Sequence, residues 1–283
     1  MSDTPATDAE QPSLCTYEVT DGVAVLTFNR PDRMNGMTGD MELQYFRNLQ
    51  RAEADDDVKA IVVTGAGRGF CPGADLANSR EPGAEPLPNS QLSNTLPLTI
   101  AKPMIAAING ACAGAGFGYA LQCDIRFAVP GAKFTTAFAR RGLIAEYGMA
   151  WLLQQLVGRA TALDLLLSAR VVLSEEMHQL GVVQRIIDAE ELMDEAMAYA
   201  KDLAANVSPA SMATIKHQIN AAADQDAISA TLFSNDLMRA SLGQPDSMEG
   251  ITSFLEKRPP SFAPFGSGTR FAWMDDRAEL PPA

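Results

Sequence analysis

The chain has 283 residues, 47% of them hydrophobic, and its 22 basic and 35 acidic residues give a formal net charge of −13. The length and the apolar content predict a globular protein with a sizeable core, and the acidic balance argues against a nucleic-acid-binding surface. The longest apolar runs fall short of the ~20 residues of a membrane span, and the polar N-terminus does not fit a signal peptide. We therefore expect a cytoplasmic protein that engages neither nucleic acid nor a membrane.

The first half of the chain predicts a strand-rich region. Residues 1–13 are small and polar and predict disorder. The pair Asp21-Gly22 separates two apolar runs, which is typical of a hairpin, here with strands at 17–20 and 23–28. Apolar spacing then predicts a helix, a buried strand, a second strand, a short helix and a third strand: residues 41–52, 59–64, 103–108, 114–122 and 125–129.

Proline and glycine divide the rest of the chain. Residues 77–97 are rich in both and predict a loop or a mobile lid, and residues 259–283, with five prolines, predict an extended tail. From residue 189 onward the pattern is helical, with interruptions at Pro209 and at residues 243–245. We expect no strand in this last region.

The centre of the chain carries four further expectations. Two helices are predicted at residues 148–157 and 160–169, with Trp151 facing inward. Ser174 is expected to cap a short helix that follows it. A strand is expected at residues 182–187.

Two glycine-rich turns are the most informative motifs. Residues 61–76, IVVTGAGRGFCPGADL, and 103–118, PMIAAINGACAGAGFG, each pass from an apolar strand through glycines toward a predicted helix. Such turns leave backbone N–H groups unpaired where negative charge is favoured. Two turns facing one pocket would form an oxyanion hole, a pair of donors aimed at an oxygen that becomes negative during a reaction. The alternative is that the glycines serve only close backbone packing.

Together with four further segments, these turns resemble the crotonase superfamily, the enoyl-CoA hydratase/isomerase family. The matching segments are residues 29–31, 65–76, 102–116, 123–128, 142–146 and 254–259. The resemblance implies an α/β fold, a crotonase-like spiral of repeated strand–strand–helix turns with a C-terminal helical trimerisation segment. The implied division is a disordered N-terminus, a spiral core with the acyl-CoA site, a C-terminal helical segment and a Pro-rich tail: residues 1–13, 14–190, 191–258 and 259–283.

The resemblance also implies an acyl-CoA site without a nicotinamide, flavin or metal cofactor. Its oxyanion donors are the N–H groups of Ala74 and Ala115, and alanine serves at position 115 because only the N–H is needed, provided that φ is negative. Arg30, Arg33 and Arg68 are candidates for the coenzyme phosphates, or else ordinary surface charges. The implied substrate-binding residues are Arg33, Met34, Gly36, Gly73, Asp75, Leu76, Gly114 and Phe138.

The acid that the resemblance favours for catalysis is Glu146. Hydratases of the family use two glutamates, and the matching positions here are Gly118 and Phe138, which cannot move a proton. Related isomerases and a dehalogenase carry an acid at the position of Glu146, facing the acyl chain. We expect Glu146 at the start of a helix, buried beside Phe138 and Trp151, where a carboxylate is a better base. The alternative role is an acid that stabilises a helix N-terminus.

One carboxylate suits a proton shuttle that moves a 3,4 double bond of an enoyl-CoA to the 2,3 position. Three alternatives stay open: a hydratase that acts with Glu146 alone, a non-catalytic acyl-CoA binder, and a thioester hydrolase or dehalogenase with Glu146 as nucleophile. The resemblance and the apolar C-terminal helices together imply a homotrimer or a dimer of trimers.

The remaining reactive residue types receive structural interpretations. His178 and His217 are expected on solvated faces, and Asp124 is expected to anchor its turn. Arg140 and Arg141 steer the acyl pocket or contact a neighbouring subunit. Four cysteines without metal-site spacing are interpreted as buried thiols of a reducing compartment: Cys15, Cys71, Cys112 and Cys123.

Overall fold

Two β-sheets organise the part of the chain that the computed structural model describes, residues 13–76 and 93–275. The predicted disorder of residues 1–12 lies outside these ranges. The strands are β1 (Cys15–Thr20), β2 (Val23–Phe28), β3 (Ala60–Gly65), β4 (Gly69–Cys71), β5 (Met104–Ile108), β6 (Ala111–Ala113), β7 (Ile125–Ala128), β8 (Lys133–Thr135), β9 (Val172–Leu173) and β10 (Arg185–Ile186). The α-helices are α1 (Gly39–Ala54), α2 (Leu96–Thr99), α3 (Ala115–Gln122), α4 (Met149–Ser168), α5 (Ser174–Gln179), α6 (Leu192–Asn206), α7 (Pro209–Ala222), α8 (Ala227–Ser241) and α9 (Pro245–Glu256).

The larger sheet has the strand order β1-β2-β3-β5-β7-β10, and the smaller sheet has the order β4-β6-β8-β9. The β1–β2 hairpin is antiparallel with Thr20 opposite Val23, as the Asp21-Gly22 pair predicts. The other pairs of the larger sheet are parallel. In the smaller sheet β4, β6 and β8 run parallel, and β9 pairs antiparallel with β8.

The chain alternates between the two sheets. Strands β3, β5 and β7 of the larger sheet are each followed by a strand of the smaller sheet, β4, β6 and β8 respectively. Helix α3 follows β6, and α4 follows β8. This repetition confirms the predicted spiral of strand–strand–helix turns.

The core is formed by the larger sheet and the helices that cover it. Every residue of β3 and β5 is buried, in keeping with parallel strands that are covered on both faces. Helix α6 packs across β2, β3, β5 and β7. Its buried residues are spaced along one face: Leu192, Ala196, Ala200 and Ala204. None of the described helices is both long and apolar enough to cross a membrane.

Helix α4 is broken at Gly158, whose φ of 73° and ψ of 165° are not helical, so it consists of two helical parts, as predicted. The region after the core differs from the prediction in two details. Trp151 is 44% exposed because Leu153 takes the buried side of α4. Ser174 is the first residue of α5 and not its cap, and its hydroxyl donates to the Val129 carbonyl at 2.8 Å.

Two further segments are shorter or more structured than expected. Of the predicted loop, residues 77–92 lie outside the described ranges, and α2 begins at Leu96 with Pro97 in its first turn. The predicted strand at 182–187 contributes only two residues, Arg185 and Ile186, to the larger sheet.

The C-terminal region is helical from α6 to α9, as predicted, and no strand follows β10 within residues 187–275. The tail is not extended throughout. Phe271 is buried, and Ala272–Met274 form a 3₁₀ turn. Trp273 of this turn stacks on His217, with ring centroids 4.4 Å apart and planes 8° apart. The expected solvated position of His217 is therefore wrong.

Arg126 is a buried cation held by backbone carbonyls. Its Nε donates to the Val182 carbonyl at 2.6 Å, and its Nη1 donates to the carbonyls of Cys123 at 2.5 Å and Ala120 at 3.4 Å. Burial lowers the pKa of Arg126. Because Ala120 and Cys123 lie at the end of α3, the guanidinium satisfies carbonyls at the C-terminus of that helix.

We predict that Arg126→Met lowers the free energy of unfolding by about 3 kcal/mol, because several interior carbonyls lose their donor. Urea unfolding measures the change. Arg159→Met is the matched control, since Arg159 is exposed on α4, and its effect should stay within about 0.5 kcal/mol. Equal stabilities of the two variants would contradict the structural role given to Arg126.

Candidate active site

The two glycine-rich turns meet at Gly73 and Gly114. A Cβ placed on Gly73 would lie 3.1 Å from the Ala113 carbonyl oxygen and 3.6 Å from the Ala115 nitrogen, and one placed on Gly114 would lie 3.6 Å from the Gly73 Cα. Both glycines have positive φ, 105° and 50°, a region that other residues rarely adopt. The turns therefore lie backbone against backbone.

The N–H groups of Ala74 and Ala115 lie on either side of this contact. Ala74 bridges Met37, whose N–H donates to the Gly73 carbonyl and whose carbonyl accepts from the Asp75 N–H, both at 2.8 Å. Because successive groups of an extended chain alternate in direction, the Ala74 N–H points away from Met37. Ala115 begins α3, so its N–H has no partner within the helix, and its φ is not positive, as expected. Among the described residues, no acceptor pairs with either N–H.

Asn35 and Arg30 tie the first turn to the loop before α1. Asn35 is fully buried, its Nδ2 donates to two carbonyls of the turn at residues 66–69, at 2.9 and 2.7 Å, and its Oδ1 accepts from the Arg30 N–H at 2.8 Å. The Arg30 guanidinium donates to the Gly36 carbonyl and pairs with Asp75, with Nη2 and Oδ2 2.9 Å apart. Arg30 thus joins the loop before α1 to the first turn, and its candidate contact with a coenzyme phosphate stays a prediction.

The residues expected to hold the coenzyme lie around the ion pair of Arg30 and Asp75. A Cβ on Gly36 would lie 3.5 Å from the Asp75 Cβ, so the loop after Pro31 touches the turn after β4. Met34 is left-handed, with φ of 54°, at the end of the 3₁₀ turn Pro31–Arg33. The exposed side chains here include Arg33, Arg68 and Leu76. The structure brings the two predicted segments together, and their contact with a coenzyme stays a prediction.

Glu146 lies in an irregular segment before α4, and its side chain is exposed, so its predicted burial is wrong. Its carbonyl accepts from the Met149 N–H at 3.0 Å, which places it three residues before the helix. The physical reason is a left-handed pair, since Tyr147 and Gly148 have φ of 57° and 67°. This turn directs Tyr147, only 4% exposed, into the protein in place of Glu146.

The two positions where hydratases of the family carry acids are filled by apolar packing. Gly118 lies one turn beyond Ala115 on α3, and a Cβ placed on it would lie 2.6 Å from the Tyr147 Cβ. Phe138 is buried, and its carbonyl accepts from the N–H groups of Arg141 and Leu143 at 2.8 and 3.1 Å. The contact between Gly118 and Tyr147 places the segment that carries Glu146 beside the first turn of α3.

A buried polar chain lies behind Tyr147. The ring of Tyr119 meets that of Tyr147 edge-on, with centroids 5.2 Å apart, and the Tyr119 hydroxyl donates to the carboxylate of the buried Glu42. Burial raises the pKa of Tyr147 well above its usual value, and the charge of Glu42 raises it further. The sequence analysis missed Glu42, although an acid at helical spacing from the apolar Phe46 and Leu49 was a signal.

The cysteines are free and buried, as expected. Burial raises the pKa of Cys71 to about 12, so this thiol beside the first turn is protonated and unreactive at neutral pH. Within residues 13–76 and 93–275, no cluster of three metal-binding side chains occurs. Asp124 anchors its turn, as predicted, because its Oδ2 accepts from the Met104 N–H and from Lys216 Nζ, both at 2.8 Å.

The structure also places the remaining predicted side chains and shows two cavities. His178 is exposed, as expected. The guanidinium groups of Arg140 and Arg141 donate to backbone carbonyls at 2.8 and 3.1 Å. Cavities of about 780 and 740 Å³ lie beside α7, and neither is lined by the two alanines or by Glu146.

Comparisons with known proteins agree with this geometry. The sequence profile of the enoyl-CoA hydratase/isomerase family matches residues 18–264. The 1,2-epoxyphenylacetyl-CoA isomerase of Escherichia coli K12 is 37% identical over 85% of this chain and 95% of its own length. A probable enoyl-CoA hydratase of Rhodobacter capsulatus is 35% identical over 87% and 96%. The crystal structure of a probable enoyl-CoA hydratase/isomerase from Mycobacterium abscessus superposes with a TM-score of 0.81, at 30% identity over 88% and 98% of the chains.

The spiral fold and the paired backbone turns are those of an acyl-CoA enzyme. The matches to known proteins cover most of the chain, and the relatives are named as enzymes that act on CoA thioesters. The chain belongs to the enoyl-CoA hydratase/isomerase family, within the crotonase superfamily. The chain is accordingly an enzyme of this family, and the relatives named above include an isomerase and a hydratase.

We predict that Ala115→Pro lowers kcat/KM for enoyl-CoA by about 10²–10³-fold, the effect of removing one oxyanion-hole donor. Proline is tolerated at the first position of a helix, as in α7 and α9, so the free energy of unfolding should change by less than about 1 kcal/mol. Ala115→Gly keeps the N–H and is the matched control. A folded Ala115→Pro enzyme with the kcat/KM of Ala115→Gly would exclude this N–H as a donor.

Proposed function

We propose that the protein is an enoyl-CoA isomerase that moves a 3,4 double bond to the 2,3 position. The thioester oxygen accepts hydrogen bonds from the N–H groups of Ala74 and Ala115. The Glu146 carboxylate removes a proton from the α carbon, and the electron pair of that C–H bond moves toward the carbonyl to give an enolate. The enolate then takes the same proton from Glu146 at the γ carbon, which places the double bond at 2,3 and restores the carboxylate.

One observation carries this proposal: the segment that bears Glu146 adjoins the helix that begins with an unpaired N–H. Gly118, one turn after Ala115, contacts Tyr147, and Tyr147 follows Glu146. The two hydratase acid positions hold Gly118 and Phe138. A single carboxylate suits a shuttle because the base that takes the proton also returns it. The similarity to the 1,2-epoxyphenylacetyl-CoA isomerase of Escherichia coli supports isomerisation of a CoA thioester.

The alternative is an enoyl-CoA hydratase that works with Glu146 alone, and the relative from Rhodobacter capsulatus favours it. Hydration adds a hydroxyl to the β carbon and a proton to the α carbon. One carboxylate must then both hold the water and deliver the proton, which is harder than a shuttle. Parallel assays of 2-enoyl-CoA and 3-enoyl-CoA substrates separate the two reactions.

The proposed coenzyme site is largely backbone. We place the adenine and its neighbouring groups against Arg33, Met34 and Gly36 on one side and Gly73, Asp75 and Leu76 on the other. Gly114 lies beside the thioester and Phe138 beside the acyl chain. The proposed reaction needs no nicotinamide, flavin or metal, and we place the protein in the cytoplasm.

We also propose that the chain forms a homotrimer or a dimer of trimers. Helix α8 buries none of its residues in the single chain, and the C-terminal helices expose many large apolar side chains, more than single scattered residues account for. These side chains include Ile219, Ile228, Leu232, Met238, Leu242, Phe254 and Leu255.

For the assembly, we predict that light scattering at micromolar concentration gives the mass of three or six chains of 30.2 kDa. Leu232→Glu, which places a charge on the exposed side of α8, should shift the mass toward the single chain. Thr231→Glu adds the same charge at a neighbouring position and is the matched control. A stable monomer in the unaltered protein would overturn the assembly proposal.

For the acid, we predict that Glu146→Gln lowers turnover by about 10²–10⁴-fold, the contribution of a general acid–base group. Glutamine keeps the shape of the side chain but cannot take a proton. Acyl-CoA affinity should change little because the proposed donors and coenzyme loops are backbone features. The α hydrogens should exchange with deuterium in heavy water with the unaltered enzyme and stop exchanging with Glu146→Gln.

Glu190→Gln is the control for this experiment, because Glu190 is exposed in the turn before α6. Its turnover and its deuterium exchange should equal those of the unaltered protein. If Glu146→Gln isomerises at a similar rate, the acid is not the base. If the unaltered enzyme hydrates 2-enoyl-CoA quickly but never moves a 3,4 double bond, the hydratase alternative replaces the isomerase.

A further inference from the structure

Tyr147 occupies the space that a side chain at position 118 would need. A Cβ placed on Gly118 would lie 2.6 Å from the Tyr147 Cβ and 2.9 Å from its Cγ, closer than real Cβ atoms approach their neighbours. The atoms in conflict are at the root of the tyrosine side chain, so rotation of the ring does not relieve the contact. Any larger residue at position 118 requires Tyr147 to be removed or displaced.

Tyr147 is held in this position from several sides. Its backbone is left-handed, as is that of Gly148, and its carbonyl accepts from Gln122 Nε2 at 3.2 Å. Its ring meets the edge of Tyr119, which is itself bonded to Glu42. Only 4% of Tyr147 is exposed. The ring of Tyr147 is therefore fixed in position against α3, close to the first turn of that helix.

We propose that Tyr147 is a specificity-determining residue, which keeps water and a second acid out of the space beside Gly118 and so restricts the enzyme to proton transfer through Glu146. This inference rests on the isomerase function proposed above. Addition of water across the 2,3 double bond requires a water molecule beside the β carbon and a group that takes its proton. The buried ring leaves no room at position 118 for a side chain that could hold this water.

The experiment compares Gly118→Glu, Tyr147→Gly, the double variant that combines them, and Tyr147→Phe. Glycine is chosen at position 147 because alanine would keep the Cβ that lies 2.6 Å from the new side chain, and because the left-handed backbone of Tyr147 suits glycine. Each is assayed for hydration of 2-enoyl-CoA and for isomerisation of 3-enoyl-CoA, and the ratio of the two rates is the readout. Gly118→Glu alone should not raise the ratio, because Tyr147 blocks the new side chain. The double variant should raise it at least about 10-fold, a small part of what a positioned acid–base group contributes.

Tyr147→Phe is the matched control, since it keeps the ring and loses only the hydroxyl, and its ratio should equal that of the unaltered enzyme. Tyr147→Gly alone opens the space to water and should give a higher ratio than Tyr147→Phe, which tests the inference even if the double variant does not fold. Thermal unfolding and coenzyme A binding establish which variants are intact.

Two results would overturn the role of Tyr147. One is a Gly118→Glu enzyme that hydrates as well as the double variant, which would mean that the ring does not block position 118. The other is an equal ratio for Tyr147→Gly and Tyr147→Phe. Failure of the isomerase proposal would show itself in a different result: the unaltered enzyme would not isomerise 3-enoyl-CoA.

Discussion

The contact of two backbones, Gly73 against Gly114, is the constraint on which the site depends. A side chain at Gly73 would reach within 3.1 Å of the chain that leads into α3 and would push the two turns apart. The proposed donors, Ala74 and Ala115, flank this contact, so their separation follows from how the turns pack and not from any rotamer. Donors fixed in this way need no rearrangement when charge develops on the thioester oxygen.

Polar side chains hold the first turn in place, because their hydrogen bonds go to groups of the protein itself. Asn35 fills the turn with three hydrogen bonds, and burial makes each of these costly to lose. The ion pair of Arg30 and Asp75, with side chains 18% and 20% exposed, joins the loop before α1 to the end of the turn. Because partly exposed ion pairs add little stability, the effect of this pair is mainly to fix the relative position of the two segments.

The spiral and the paired turns were predictable because backbone geometry leaves a direct record in glycine, in β-branched runs and in helical spacing. The direction of individual side chains was not. Tyr147 has a left-handed backbone although it is not glycine, and sequence rarely signals this conformation. As a result, Tyr147 is buried where Glu146 was expected to be. The partnership of Arg30 with Asp75 joins positions that are distant in sequence, so only the folded chain reveals it. Trp151, expected inside, faces outward because the other side of α4 already fills the core.

The exposure of Glu146 bears on how such an acid could act as a base. Carboxylates become stronger bases when water is removed from them, yet the described part of this chain leaves Glu146 in contact with solvent. Its neighbours Leu143 and Ile144 are 54% and 81% exposed, and Trp151 is 44% exposed, so the acid stands within an uncovered apolar surface. Covering this surface with the acyl chain of the substrate, or with a second subunit, would remove water from the carboxylate at the moment of binding. The proposed backbone donors are thus set by the fold of one chain, whereas the environment of the proposed acid would be completed by what binds beside it.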